Sequence, residues 1–143
     1  MFRRVDDSTT PCGCIIMAAN EADEPWQRMG NNHGPNPQEL PLSGLGACMM
    51  VASVAGATAE DVQIESLRLI LDAMLDLRGF PGIGSNLPVG FPEIRYTLQV
   101  TADTPSEQLD ALGAKVVTHS PNAQTILNPV ALKGEIVVTR SAA

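Results

Sequence analysis

Cys48 is the first candidate for chemistry, because a thiolate is both a nucleophile and a redox-active group. Its neighbours Leu45-Gly46-Ala47 and Met49-Met50-Val51 are apolar. Such surroundings disfavour the thiolate, and a position in mid-helix gains little from the helix dipole. One interpretation is therefore a small buried apolar residue, as free cysteine commonly is. The other is a nucleophile activated by a cation from another segment, for which the sequence offers Arg3, Arg4, Arg28 and Arg78.

Three polar residues either assist Cys48 or serve only the helices that carry them. Ser120 precedes Pro121, a pair typical of a helix N-cap followed by proline at the first helical position. Glu39 follows Asn36 by three residues, as in a capping box, where the carboxylate binds the backbone at the helix start. Glu39, or its neighbour Gln38, could instead orient an arginine near Cys48.

The other two cysteines form the pair Cys12-Gly13-Cys14. A total of three cysteines is unlike the disulfide framework of a small secreted domain. A CxC pair also lacks the ligands of a structural zinc site, and His33 and His119 do not complete one. We therefore predict no metal and no cofactor. Either member of the pair could attack an oxidised Cys48 if the N-terminal segment folded over it, but we expect that neither reaches it.

Composition limits the class of protein and its partners. The chain of 143 residues is 44% hydrophobic, which excludes global disorder, and its length is typical of one domain. Its net charge of −7 disfavours nucleic acid, whose phosphates an acidic surface repels. No apolar run follows the basic pair Arg3-Arg4, and the longest apolar runs are interrupted well short of a membrane span. We expect a cytoplasmic protein that binds no membrane.

The segment that carries Cys48 is predicted to be a buried helix. Residues 38–57 are apolar on every face around residues 45–52, and a helix of that kind must be covered on all sides. Pro41 leaves its start open: either the first turn is kinked or the regular helix begins near this residue. A face of small side chains lets another helix come close, and it consists of Ser43, Gly44, Gly46 and Ala47.

Residues 61–78 fit two periodicities. Their leucines recur at helical spacing and also at alternate positions, so helix and strand compete. The good helix formers in this segment slightly favour the helix. The strand interpretation needs a bulge near Glu65–Ser66, because Val62 and Ile64 lie on the opposite parity from the leucines.

The remaining segments predict a mixture of strands and helices. The apolar run 14–19 and the alternating residues 94–102 predict strands. Thr104-Pro105-Ser106-Glu107 predicts a capping box and a helix that ends before Ser120. A short helix over Pro121–Leu127 and a last strand over Glu135–Thr139 follow. This order predicts an α+β fold.

Several motifs together resemble the OsmC/Ohr family. Asn36-Pro37-Gln38-Glu39-Leu40, followed by Leu45-Gly46-Ala47-Cys48, resembles its signature, and three further motifs occur in the family's order: Leu75-Asp76-Leu77-Arg78-Gly79-Phe80, Gly90-Phe91-Pro92-Glu93-Ile94 and His119-Ser120-Pro121. The resemblance covers about residues 34–140 and leaves 1–33 as a divergent N-terminal segment of a single domain, residues 1–143. It implies an intertwined α+β homodimer with the central helix packed against curved antiparallel sheets, and it favours a strand for residues 61–78.

The resemblance also implies a chemistry. Active members of the family reduce organic hydroperoxides with a peroxidatic cysteine on the central helix. A resolving cysteine at the start of a later helix then forms a disulfide, which an external dithiol reduces. Cys48 matches the first cysteine, and Ser120 stands in place of the second. Gln38 stands where the family's arginine-pairing glutamate is expected, with Glu39 one place off.

Two hypotheses follow from these residues. The first is a one-cysteine thiol peroxidase, in which Cys48 attacks a small hydroperoxide and an external thiol resolves the product. The second is a non-catalytic protein of the same fold that binds a small apolar ligand at the dimer interface. Both hypotheses imply a homodimer, and a reactive thiolate at Cys48 separates them.

Overall fold

Two compact units make up the chain, residues 1–41 and residues 42–143. The computed structural model describes residues 22–82 and 87–138, and the backbone of residues 3–6 and 14–17. The long helix α1, Glu39–Ala59, begins in the first unit and lies mostly in the second. A single domain over residues 1–143 stays a prediction.

The first unit contains two short antiparallel strands, β1 (Arg3–Asp6) and β2 (Cys14–Met17), with Val5 opposite Ile15. The strand predicted over residues 14–19 is confirmed for residues 14–17. The sequence predicts no strand at β1, because its four residues show no alternation of apolar and polar side chains. A short 3-10 helix, Trp26–Arg28, follows.

The N-terminus of α1 is capped by Asn36. Its Oδ1 accepts the backbone N–H groups of Gln38 at 3.0 Å and Glu39 at 2.9 Å, and Glu39 Oε2 accepts the Asn36 N–H at 2.8 Å. This reciprocal pair is the predicted capping box. The regular helix begins two residues before Pro41, within the first turn, where N–H groups have no helical partner. Proline therefore removes no helical hydrogen bond there.

Strands β3 (Ile64–Ala73) and β4 (Ile94–Ala102) form an antiparallel pair. β4 confirms the strand predicted over residues 94–102, whereas the slight preference for a helix over residues 61–78 is wrong. Pairing with β4 overrides helix propensity, since it lets alternate leucines of β3 pack on the core. A register shift lies between Ile64 and Ser66, where the strand interpretation needs a bulge.

Two helices, α2 (Ser106–His119) and α3 (Pro121–Leu127), follow the strands. Ser120 caps α3 as predicted, because its Oγ accepts the Ala123 N–H at 3.3 Å. The capping box predicted at Thr104 is wrong. Pro105 occupies the N-cap position of α2 and has no side-chain oxygen with which to cap it.

The core of the second unit consists of two clusters that join α1 to its neighbours. The larger one contains Leu45, Met49, Val116 and Ala123, with Leu69, Leu71 and Ile94 of the sheet packed against it. The smaller one contains Ala57, Val62 and Leu112.

Glycine permits this close packing at two positions of α1. A Cβ on Gly46 would lie 2.9 Å from Leu71 Cδ1, and one on Gly56 would lie 2.8 Å from Leu112 Cδ1. Real Cβ atoms do not approach other atoms this closely, so a larger residue would require the end of the Leu71 or Leu112 side chain to move.

One face of α1 is left uncovered by the residues that the structure describes. Val51 is 71% and Val54 is 55% exposed, whereas Met49 is 1% exposed. The expectation of a helix covered on all sides is therefore wrong for the described part of a single chain.

With 21 residues, α1 is also long and apolar enough to cross a membrane, contrary to the expectation from sequence. The core helix of a soluble protein meets the same two criteria.

Residues 129–138 have no regular secondary structure, and their side chains are exposed. Leu132 and Ile136 are fully or nearly fully exposed. The strand predicted over Glu135–Thr139 is absent from residues 135–138, and Thr139 lies outside the described residues. A strand needs a neighbouring strand for its hydrogen bonds, and none lies beside residues 135–138 in the described part of the chain.

Replacement of Met49 by alanine should lower the free energy of unfolding by about 2–5 kcal/mol, because it leaves a cavity in the larger core cluster. Urea denaturation followed by circular dichroism measures the loss. Met74→Ala is the control, since Met74 is 78% exposed; it should change the free energy by less than about 0.5 kcal/mol. Equal losses in both variants would contradict the placement of Met49 in the core.

Candidate functional site

Cys48 lies on α1 at the border between the covered and the open face, and its free thiol is half-buried. Side chains of a helix lean toward its N-terminus, so the sulfur lies over the turn that contains Gly44 and Leu45. Gly44 carries no side chain on this turn, and a Cβ there would lie 3.6 Å from Asn122 Nδ2 of α3. Because Cys48 is only half-buried, part of its side chain is accessible to a small reagent.

The start of α3 packs against this same turn. Asn122 Nδ2 donates to the Gly44 carbonyl at 2.8 Å, and Ala123 belongs to the core cluster of Leu45 and Met49. Ser120 is 0% exposed and lies one residue before the helix. The fold therefore brings the segment of Ser120 next to the turn of Cys48. Asn122 is a site residue for which the sequence gives no signal, because an asparagine in the first turn of a helix is ordinary.

A cleft between α1 and α2 lies beyond Cys48 along the same face of α1. Cys48, Ala52, Ala55 and Ala59 are separated by four, three and four residues, a spacing that places them on one helix face. The cleft has a volume of about 340 Å³, with Leu112 and Val116 of α2 on its other side. Its walls are largely apolar because α1 contributes only alanine and glycine over this stretch.

The rim of the cleft is polar. Glu60 and Lys115 form an ion pair there, and His119 lies beside them. The His119 Nδ1 lies 2.9 Å from the Lys115 carbonyl oxygen, which can only accept, so Nδ1 carries the proton and Nε2 is the acceptor of a neutral ring. The sequence offered no role for His119, and the structure places it at the mouth of the cleft.

The arginines considered as activators of Cys48 have partners or lie outside the described side chains. Arg78 donates to Asp76 through Nε at 3.0 Å and Nη2 at 2.6 Å; these bonds hold the pKa of Asp76 at about 2 and raise the pKa of Arg78. Arg28 lies 3.5 Å from Glu24. The side chains of Arg3 and Arg4 lie outside the described residues. No side chain of residues 42–82 or 87–138 donates a hydrogen bond to the Cys48 sulfur.

Gln38 and Glu39 lie at the start of α1. Glu39 serves as the carboxylate of the capping box, through its bond to the Asn36 N–H. The Gln38 Oε1 is buried and accepts no hydrogen bond among the described residues. A role for either side chain in orienting an arginine stays a prediction.

Metal ligands do not gather in the described part of the chain. No group of three His, Cys, Asp or Glu side chains could hold a metal ion among residues 22–82 and 87–138. Cys12 lies outside the described residues, and Cys14 is described only by its backbone.

His33 takes part in the structure through its backbone. Its N–H donates to Asp23 Oδ2 at 3.1 Å, and this hydrogen bond is the largest cause of the lowered pKa of Asp23.

A family model for OsmC-like proteins matches residues 30–135. The chain belongs to the OsmC-like family. This match confirms the resemblance read from the motifs, and the observed helices and antiparallel strands confirm the α+β class of the OsmC fold. Comparison with curated proteins gives no match.

Solved structures of similar fold extend the comparison. An OsmC-like protein from Mycoplasma pneumoniae is 19% identical with a TM-score of 0.61, and the match covers 73% of this chain and 68% of that one. An organic hydroperoxide resistance protein, OsmC, from Legionella pneumophila is 16% identical with a TM-score of 0.53, over 88% and 87% of the two chains. A putative organic hydroperoxide resistance protein from Vibrio cholerae, with captopril bound in one active site, is 16% identical with a TM-score of 0.56, over 88% and 83%.

In this OsmC-like chain, Arg78→Gln should raise the pKa of Asp76 from about 2 toward the ordinary value near 3.9. The backbone N–H of residue 78 still donates to Asp76 and keeps the value somewhat below it. NMR titration of the side-chain carboxyl measures the change.

The same pair should stabilise the fold at neutral pH and lose this contribution in acid. Because the pKa of Asp76 is depressed in the folded state, the contribution of the pair is present above about pH 4 and lost as the pH falls toward 2. Arg95→Gln is the control, since Arg95 binds Asp72 and should leave the Asp76 titration unchanged. An Asp76 pKa that stays near 2 in Arg78→Gln would contradict the assignment.

Proposed function

We propose that this OsmC-like protein is a one-cysteine thiol peroxidase that reduces organic hydroperoxides, with Cys48 as the nucleophile. The observation that carries the proposal is the position of Cys48, a half-buried free thiol at the border of the open face of α1. The apolar cleft along the same helix face suits an organic substrate. Membership of the family, and structural neighbours described as organic hydroperoxide resistance proteins, support the substrate class.

The proposed cycle balances with two external thiols. The Cys48 thiolate attacks the terminal oxygen of the hydroperoxide, the O–O bond breaks, and the alcohol leaves after it takes up a proton. Cys48 keeps the oxygen as a sulfenic acid. A first external thiol attacks the sulfenic sulfur, releases water and forms a mixed disulfide. A second thiol then attacks this disulfide and frees Cys48.

Ser120 supports a cycle with one cysteine. Its side chain lies in the segment that packs beside the turn of Cys48, and its oxygen accepts the Ala123 N–H as a helix cap. A serine at this place cannot form a disulfide with Cys48, so resolution requires another thiol, which we propose comes from outside the chain. The need for such thiols favours the cytoplasm as the location of the protein.

The proposal includes a homodimer in which a second copy covers the open face of α1. Val51 and Val54 on this face are exposed in a single chain, and their burial would be favourable by roughly 25 cal/mol per Å² of apolar area. Gly44 and Ala47 lie on this face, and their small size would let a second helix approach closely. The exposed apolar residues 129–138 form a second surface that a partner chain could cover as a paired strand.

The alternative is a non-catalytic protein that binds a small apolar ligand at the dimer interface. The ion pairs of two arginines favour this alternative. Arg78 and Arg28, which the sequence offered as activators of the thiol, are bound to carboxylates. The captopril bound in the similar Vibrio cholerae protein also supports a small-molecule site in this fold. Reactivity of Cys48 toward peroxide separates this alternative from the peroxidase.

Treatment with cumene hydroperoxide in the absence of thiol should convert Cys48 to sulfenic and then sulfinic acid. Cys48 is the one cysteine whose side chain the structure describes, and we expect Cys12 and Cys14 not to reach it. Intact-mass measurement should show stepwise gains of one oxygen atom. A loss of two hydrogens that survives denaturation and reverses with reductant would show instead that Cys12 or Cys14 resolves the sulfenic acid. No oxidation under these conditions would favour the non-catalytic alternative.

Two variants complete this experiment. Cys48→Ser should lose both the oxygen gains at this position and the consumption of hydroperoxide with dithiothreitol. Ser120→Ala should retain turnover and lose about 1 kcal/mol of stability with its cap. Abolished turnover in a folded Ser120→Ala variant would contradict a purely structural role for Ser120.

The dimer should dissociate when a charge is placed on the open face of α1. Val51→Asp buries an unpaired carboxylate if this face is an interface, so sedimentation at micromolar concentration should show monomers or unfolded chains. Ala111→Asp, at an exposed position of α2, is the control and should sediment as the unmodified protein does. A stable folded monomer of the unmodified chain would refute the dimer.

A further inference from the structure

One side chain of α3 is bound to the backbone of α1 beside Cys48. Asn122 Nδ2 donates to the Gly44 carbonyl at 2.8 Å, across 78 residues of chain. Gly44 lies four residues before Cys48, so in an α-helix its carbonyl is also the acceptor of the Cys48 N–H. Asn122 therefore binds the carbonyl group that accepts the hydrogen bond of the Cys48 backbone.

The helix that carries Asn122 does not need this bond for its own capping. Ser120 caps α3 through the Ala123 N–H, and Asn128 binds the Gln124 carbonyl at the other end. The Asn122 amide is directed at a different helix instead. Its bond fixes the distance of the first turn of α3 from the Gly44 turn, over which the Cys48 sulfur lies.

We propose that Asn122 is a positioning residue, which holds the start of α3 beside Cys48 and thereby limits the size of the molecules that reach the sulfur. The proposal deepens the proposed function, since it concerns access to the same thiol. When the Asn122 amide is removed, Ala123 still packs in the larger core cluster, so α3 stays attached to the core. What changes is the freedom of its first turn to move away from the Gly44 turn.

Reagents of two sizes test this role without any peroxidase assay. The small reagent is methyl methanethiosulfonate and the large one is a biotin maleimide, with modification read at Cys48 by peptide mass mapping so that Cys12 and Cys14 do not interfere. In Asn122→Ala the rate of modification by the maleimide should rise about fivefold or more. This is the change expected when one hydrogen bond no longer holds the first turn of α3 against the Gly44 turn. The rate with the small reagent should change less than about twofold.

A second variant keeps the shape of the side chain. Asn122→Asp has the same size as the native residue but places a carboxylate against the Gly44 carbonyl, so it should show the same size-dependent increase. Asn128→Ala is the matched control, because Asn128 Nδ2 also donates to a backbone carbonyl at 2.8 Å but within α3 itself. It should leave both rates unchanged.

The outcomes separate positioning from general stability. If Asn122 only stabilised the fold, both reagents would accelerate by the same factor, and that result would overturn the proposal. Unchanged maleimide rates in both Asn122 variants would overturn it as well. Failure of the peroxide experiments leaves this test intact, since both reagents require only the thiol: the thiosulfonate forms a methyl disulfide with it and the maleimide alkylates it.

Discussion

The close approach of α1 to β3 and α2 is the constraint on which the rest of the second unit depends. Gly46 and Gly56 favour it, since neither has a side chain where the ends of Leu71 and Leu112 lie. With these contacts made, the two core clusters close and the direction of α1 over the sheet is set. The border position of Cys48 follows from the same orientation, since it lies on neither the packed nor the open side.

The same packing leaves apolar surface exposed in the part of the chain that the structure describes. Within that part, β3 and β4 pair with each other alone, and a pair of strands seldom suffices for an independent sheet. The helix buries Met49 on one side and exposes Val51 on the other, although both sides are equally apolar in sequence. The apolar open face of α1 has a physical explanation if a second surface covers it. The exposed apolar side chains of residues 129–138 have the same explanation, since they find no cover among the residues that the structure describes.

Features that depend on neighbouring residues could be predicted from the sequence. The Ser120 cap, the Asn36–Glu39 box and the strand over residues 94–102 are of this kind, because short spacing determines them. The box at Thr104 failed although its spacing is right, since the helix begins one residue later and the proline takes the cap position. Residues 61–78 could not be decided locally. Their strand forms through the partner strand β4, and only the need for a bulge at Ser66 was visible in the sequence.

From the sequence, the residues of the candidate site could be predicted by their types, but their spatial arrangement could not. Cys48 and Ser120 stand out by position and by resemblance to a family, but their proximity results from contacts between α1 and α3. The bond from Asn122 to Gly44 joins residues 78 positions apart and uses a backbone carbonyl, which is present at every residue and so carries no sequence signal. Arg78 and Asp76 are close in sequence, but their ion pair could not be predicted, because an arginine near an acidic residue is common on any surface.

Ser120 shows how the fold and the chemistry of this site can vary independently. A cap requires a small side chain with an acceptor oxygen, and serine is among the best residues for it. Internal resolution of a sulfenic acid from the same place would require a thiol instead. In the proposed peroxidase, oxygen in place of sulfur at residue 120 therefore keeps the cap of α3 and its packing beside Cys48 but allows no disulfide between residues 48 and 120. The rate of recovery of such an enzyme depends on which external thiols reach the sulfur, and so on the gap between α3 and the turn of Gly44.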